Sequence, residues 1–258
     1  MLARRIREHL SFLAATPLHP QWLLRFAPSR QELLRLSEGT ILDVGSADRW
    51  PERFIPRKTN YIALDYPQTG KALYASKPDI FADAAALPIV SNTIDTVLYF
   101  EVLEHVTRPS ETIEEISRVL KPGGQLIMSM PFLYPMHDEP HDFQRYTKHG
   151  LERDFRAAGL ELKSIKPTLN AASTSGLIAC LALSGMILRA LKNRSPSLLM
   201  TPLLICAIPI INIIALTIGW VMPNWDAIAA GHQAIARKPE NPYIWKIKPA
   251  KRTDQNQH

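Results

Sequence analysis

The sequence predicts an α/β fold built on a doubly wound, mostly parallel sheet. From Thr40 onward, short β-rich runs alternate with helical patterns, the signature of βαβ units. Three of those runs carry a carboxylate at or near their ends, at Asp43, Asp65 and Asp83, on the side where open α/β sheets bind ligands. Inside this pattern stands a charge-free apolar run, LLMTPLLICAIPIINIIALTIGWVM, at 198–222.

Strands are expected at 40–45 (TILDVG), 61–66 (YIALDY), 79–84 (DIFADA), 96–102 (TVLYFEV), 125–131 (QLIMSMP), 160–168 (LELKSIKPT) and 232–239 (HQAIARKP). Helices are expected at about 29–37, 110–120 and 147–158. In the second, Ser110 is the candidate cap, Ile113, Ile116 and Leu120 form the buried stripe, and Pro122-Gly123-Gly124 stops it. Thr147 starts the third and Gly159 ends it.

The chain has 258 residues, enough for one elaborated α/β domain, and a formal net charge of +6. Its Lys and Arg are spread along the chain, which argues against a nucleic-acid face and leaves an anionic membrane surface as the better partner. Cys180 and Cys206, the two cysteines, lie in apolar segments and read as small hydrophobes. The first 15 residues, MLARRIREHLSFLAA, make a poor signal peptide. With Leu2, Ile6, His9, Leu10 and Leu13 at helical spacing beside three arginines, they suggest a basic amphipathic helix within an N-terminal segment 1–38, able to lie on a membrane or to pack on its own domain.

The first strand runs into LDVGSADRW, where small residues let backbone N–H groups approach a ligand, and Asp65 follows about 20 residues later at the spacing of a ribose-binding carboxylate. The nicotinamide fingerprint GxGxxG is absent. Taken in order, LDVGS, ALDY, FADAAALP, FEVLEHV and LKPGGQLIMSMPF resemble the class I S-adenosylmethionine (SAM)-dependent methyltransferases, in the group with LEH and LKPGG signatures. That resemblance implies a Rossmann-like, seven-stranded sheet with an antiparallel last strand, and SAM as cofactor. It implies that Asp43, Gly45 and Ser46 form the cofactor loop, that Asp65 binds the ribose hydroxyls and Tyr66 stacks near the adenine. Asp83 would accept from the adenine amino group beside Ala84, and Phe100 and Glu101 would line the methionine end. The chain departs from the family where three alternating glycines are usual: it has Gly45, Ala47 and Arg49.

A second cluster, MHDEPHDFQRYTKHG, follows the fifth strand, and its HxxPxDxxRY pattern resembles methyltransferases of polysaccharide and lipid-linked glycan pathways. Methyl transfer to a hydroxyl requires loss of its proton, and a histidine held by a carboxylate suits that task near neutral pH. His141 or His137 is the expected base, oriented by Asp138 or Asp142, with Arg145 steering an anionic substrate group. The bland reading is that Asp142 and Arg145 only fix the loop. His105, in LEH, would lie near the transferred methyl or cap local backbone. No metal is expected, because no second ligand cluster matches in spacing.

About 60 residues separate the last two expected strands, and apolar segments at 176–191 and 198–222 fill that gap as a helical insertion over 169–231. The core would then be 39–168 with 232–240, followed by a polar tail. Both flanking strands belong to one sheet, so a single membrane crossing is excluded. A two-span hairpin would carry Lys192 and Arg194 across, its first arm of about 16 residues is short, and Asn212 is costly in lipid unless paired. A re-entrant or in-plane hairpin is therefore expected beside the substrate entrance, the soluble reading being a cap or dimer interface. The expected function is SAM-dependent O-methylation of a lipid-linked or other amphipathic acceptor at the cytoplasmic face of a membrane. The alternatives are a quinone-precursor methyltransferase and a non-catalytic membrane scaffold.

Overall fold

The computed structural model describes residues 11–56, 59–70 and 76–241. The amphipathic stretch expected over residues 2–10 and the tail beyond 241 lie outside the described residues. Seven strands, β1 (Thr40–Val44), β2 (Asn60–Asp65), β3 (Ile80–Phe81), β4 (Ile94–Phe100), β5 (Leu120–Pro131), β6 (Glu161–Pro167) and β7 (Gly231–Arg237), form one sheet in the order β3-β2-β1-β4-β5-β7-β6. β1 pairs in parallel with β2 and β4, β2 with β3, and β4 with β5. β7 runs against β5: Gly123 N–H donates to the Lys238 carbonyl near one end, and Phe132 N–H to the Ala230 carbonyl near the other. The predicted Rossmann-like sheet, its antiparallel last strand and the apolar helical insertion are all present.

The helices that matter are α1 (Arg30–Leu34), α2 (Pro109–Val119), α3 (Lys148–Ala157), α4 (Ala171–Asn193) and α5 (Thr201–Val221). α3 starts as expected, with the Thr147 hydroxyl accepting from Gly150 N–H at 3.1 Å. α2 differs from the expectation at both ends. Pro109 occupies its first turn, where a missing N–H costs nothing, so Ser110 is not the cap. The helix ends at Val119 because Leu120 already turns to extended backbone, and β5 runs through Lys-Pro-Gly-Gly. The pairing absorbs those residues as an irregularity between Ile94↔Leu120 and Thr96↔Gln125. Gly124 permits it, since a Cβ there would sit 3.0–3.2 Å from three carbonyl oxygens.

The chain divides into two compact units, one of residues 31–129, 146–165 and 234–258, the other of residues 1–30, 130–145 and 166–233. This differs from the expected partition, because the insertion groups with the N-terminal segment and the loop after β5. The core of the first unit gathers Leu34, Ile41, Leu98, Phe100 and Ile127 around β1 and β4.

In the second unit, α4 and α5 form an antiparallel hairpin. Its first arm is 23 residues, not the 16 of the apolar run, because polar Asn170 caps it early: the side-chain oxygen accepts from Ser173 N–H at 2.8 Å. The first arm is therefore long enough to span, and shortness does not argue against it. The arms approach closely at Gly176, where a Cβ would come 2.4 Å from the Ala215 Cβ and 3.1 Å from Leu23 Cδ1. Leu23 belongs to an N-terminal strap that packs with Leu177, Ala215 and Ala230. Asn212, in the middle of α5 and fully buried, donates to the Pro17 carbonyl at 2.7 Å and the His19 carbonyl at 3.1 Å, and accepts from the Cys180 thiol. The polar residue that sequence alone makes costly is thus paired.

Candidate functional site

β1 delivers Asp43 and then Gly45 into a sharp turn. Gly45 has φ of 78°, and a Cβ there would meet Val102 Cγ2 at 2.3 Å, so the position admits only glycine. The departures from the glycine pattern keep its backbone: Ala47 (φ 42°) and Arg49 (φ 57°) are also left-handed, at about 1–2 kcal/mol each. Arg49 offsets this with its side chain. Its guanidinium donates to both Glu52 carboxylate oxygens (2.8 and 3.2 Å) and to Asp79 (2.8 Å), and it lies 5.4 Å above the Tyr61 ring centroid. Arginine here clasps the loop in the shape that glycine would adopt freely.

The carboxylates of this unit have distinct surroundings. Asp43 is buried and accepts from the Tyr61 hydroxyl, and its desolvation raises the carboxyl to about 7. At the end of β2, Asp65 accepts from Tyr66 N–H at 2.8 Å through one oxygen. Its other oxygen, like the Ser46 hydroxyl, is buried and has no hydrogen-bond partner among the described residues. Orphaned buried acceptors of this kind are costly, and ligand hydroxyls or amines would satisfy them. Tyr66 is exposed, and its ring is available for stacking.

Asp83 is already engaged, accepting from Ala85 N–H (2.8 Å) and from Arg108 (2.9 Å), with Ala84 buried beside it. Glu101 sits at a left-handed φ of 54° and accepts from the Ser129 hydroxyl at 2.6 Å. Phe100 is a core element, its ring packed 5.5 Å from the Trp50 ring. His105 Nε2 lies 3.7 Å from a carboxylate oxygen of buried Glu104.

In the other unit, the loop after β5 brings one of its histidines beside a carboxylate. The Asp142 carboxylate, 2% exposed, accepts from the His137 backbone N–H at 2.9 Å and lies 3.3 Å from His137 Nδ1. Arg145 grips both its oxygens, at 2.5 and 2.7 Å, and this pairing above all holds Asp142 down to about 2. Arg145 also donates to the carbonyls of Gln144 and Pro135. Its expected role in steering a substrate anion is therefore corrected: the guanidinium is committed to the loop. His137, backed by Asp142, is the histidine–carboxylate pair that the structure assembles. His141 and Asp138 are joined instead through their backbones, His141 N–H donating to the Asp138 carbonyl at 3.0 Å. The Tyr134 ring meets His137 edge-on at 5.6 Å, and its hydroxyl accepts from Gln21 of the strap.

Tyr61, Arg108 and Ser129 escaped the sequence reading. Each reaches its carboxylate from another part of the chain, Tyr61 from β2, Ser129 from β5 and Arg108 from just before α2, and only the fold brings them together.

Residues 42–128 match the family model described as a methyltransferase domain. An uncharacterized methyltransferase of Mycobacterium bovis (strain BCG / Pasteur 1173P2) is 32% identical over 97 residues, which are 35% of this chain and 38% of that protein. A ubiquinone/menaquinone biosynthesis C-methyltransferase of Ruegeria sp. (strain TM1040) is 45% identical over 49 residues, 19% of this chain and 20% of that one. The chain thus spans less than two-fifths of the length of these relatives. Among solved structures, the [4+2]-cyclase SpnF superposes with a TM-score of 0.51 at 20% identity, over 82% of this chain and 80% of that one, a likeness of fold.

Proposed function

We propose, from the match of residues 42–128 to a methyltransferase domain, that this chain transfers a methyl group from SAM to an amphipathic, lipid-borne acceptor at a membrane surface. The cofactor supplies an electrophilic methyl group on a sulfonium. The residues fit such a ligand: Gly45 allows close backbone approach, and the orphaned oxygens of Asp65 and Ser46 offer acceptors for hydroxyl or amino donors. Tyr66 and Asp83 take the adenine end and Glu101 the amino-acid end.

His137 acts as the base toward an acceptor hydroxyl. With the proton on Nδ1 facing Asp142, the lone pair is on Nε2, and Asp142 stabilises the imidazolium once the acceptor proton has arrived. Asp142 remains ionised through this step because Arg145 holds it there.

One observation carries the choice of acceptor. The His137–Asp142 loop and the apolar hairpin belong to the same compact unit, and the strap joins them, through Gln21 to Tyr134 and through Asn212 to Pro17 and His19. Both hairpin helices are long and apolar enough to cross a membrane, and most of their surface is unburied. A lipid-linked sugar is the preferred acceptor and a quinone precursor the second, the latter favoured by the stretch similar to the quinone-pathway enzyme. The test is incubation of membranes containing the protein with radiolabelled SAM. Label is expected in the organic-extractable fraction, whereas label confined to protein or nucleic acid overturns the acceptor class. Calorimetric titration with SAM tests the first step, and absence of heat at millimolar cofactor refutes it.

A further inference from the structure

The hairpin's own geometry specifies how it meets lipid. We infer that it is an in-plane anchor that lays the outer stripe of α5 into an anionic leaflet and sends neither arm across. This deepens the membrane reading above and rests on it.

The first observation is the level of the strap. Asn212 lies 10 residues from Met222, so it would stand about 15 Å into a spanning hairpin, near the centre of a hydrocarbon core of about 30 Å. The strap carbonyls of Pro17 and His19 are bonded to it, and Leu18 between them is 47% exposed. A span would therefore place an irregular, partly exposed segment at mid-bilayer, where lipid-exposed loops do not occur.

The second observation is the sidedness of α5. Ile208, Asn212 and Ala215 are buried along one narrow side, while the residues from Leu203 and Ile205 to Ile218 and Val221 leave the rest of the circumference exposed and apolar. This apolar surface runs the full helix, about 31 Å, so the helix can be laid along the membrane surface over its whole length.

The third is charge. From Leu169 to Trp225 there is no Asp or Glu, while Arg189, Lys192 and Arg194 cluster at the turn between the arms. Trp220 and Trp225, 75% and 65% exposed, mark the opposite end. Cations at one end and tryptophans at the other both belong at headgroup level; a flat hairpin brings both to one leaflet without carrying the cations across. The cations select anionic headgroups.

The test uses the full chain. Flotation with vesicles of neutral phosphatidylcholine, and with one-third anionic phosphatidylglycerol, should show binding dominated by the anionic vesicles. R189Q/K192Q/R194Q should weaken that binding on the order of 100-fold, from the contribution of each basic residue near an anionic surface. I210E/I214E should abolish it with melting unchanged. For orientation, S197C in a C206A background is exposed to a membrane-impermeant maleimide in spheroplasts, Cys180 being buried. Labelling only after lysis supports the in-plane anchor. Flotation with labelling in intact spheroplasts overturns it while leaving the membrane reading standing. Equal binding to neutral vesicles overturns the anionic preference. No flotation, with I210E/I214E changing oligomeric state instead, overturns the membrane reading itself.

Discussion

Asp142→Asn separates the electrostatic role of the loop after β5 from its shape. The amide is nearly isosteric and can still accept from the His137 N–H, but it gives up the charge that Arg145 holds. Arg145 lowers the Asp142 carboxyl from 3.8 to about 2, a difference worth about 2 kcal/mol at neutral pH. The folded-state value is the depressed one, so this stabilisation is present above pH 4 and disappears as pH falls through 2. Urea denaturation of wild type and variant across pH 7 to 3 should show the wild type ahead by about 2 kcal/mol at pH 7, with the gap narrowing by about 1 kcal/mol at pH 3. Methyl transfer at neutral pH should fall by roughly 10- to 100-fold in fully folded variant, since the imidazolium loses its counter-charge. A stability gap constant across pH would refute the ion-pair argument. Activity that merely tracks the folded fraction would reduce Asp142 to a structural residue.

Four other expectations can be checked directly. Gly45→Ala should abolish SAM binding by calorimetry and lower stability by about 2 kcal/mol or more, because left-handed strain adds to a clash with Val102. Arg49→Gly relieves the strain but removes the clasp on Glu52 and Asp79, so SAM affinity should weaken while melting moves little. For Asp43 the sign is opposite to that of Asp142: its folded-state value is raised, so it contributes stability below pH 4 that is lost as pH rises to about 7. Asp43→Asn should remove that slope from the stability profile. Asn212→Ala should leave the Pro17 carbonyl unsatisfied while the His19 carbonyl keeps its bond from Trp22 N–H, cost about 1–3 kcal/mol, and speed hydrogen exchange in the strap before the rest of the chain.

The parts legible in the sequence are those fixed by local pattern. β1 and β2 fall within a residue of expectation because Ile41, Leu42, Ala63 and Leu64 form short buried runs, and α3 because Thr147 and Gly159 punctuate it. β5 was misjudged at its start because Pro-Gly-Gly, a stop signal for a helix, here sits inside an irregular strand pairing. α4 was read short because its first turns are Ala, Ser and Thr, which no hydropathy pattern marks. In the loop after β5, spacing alone could not choose between His137 and His141. That choice depends on where Asp142 turns once Arg145 has gripped it. The Arg49 clasp and the Asn212 bonds to the strap were beyond local reading, since they join residues 30 and more than 190 positions apart.

That last separation has a consequence for how the chain is made. The strap leaves the ribosome about 190 residues before its partners Asn212 and Ala215, a delay on the order of 10–40 s at usual synthesis rates of about 5–20 residues per second. Until then the core around Leu23 lacks Ala215 and Ala230, whereas the strands within residues 40–129 can already pair. The nascent chain can therefore pair β1 to β5 before the hairpin is finished, and β7, which follows the hairpin, closes the sheet between β5 and β6 only afterwards.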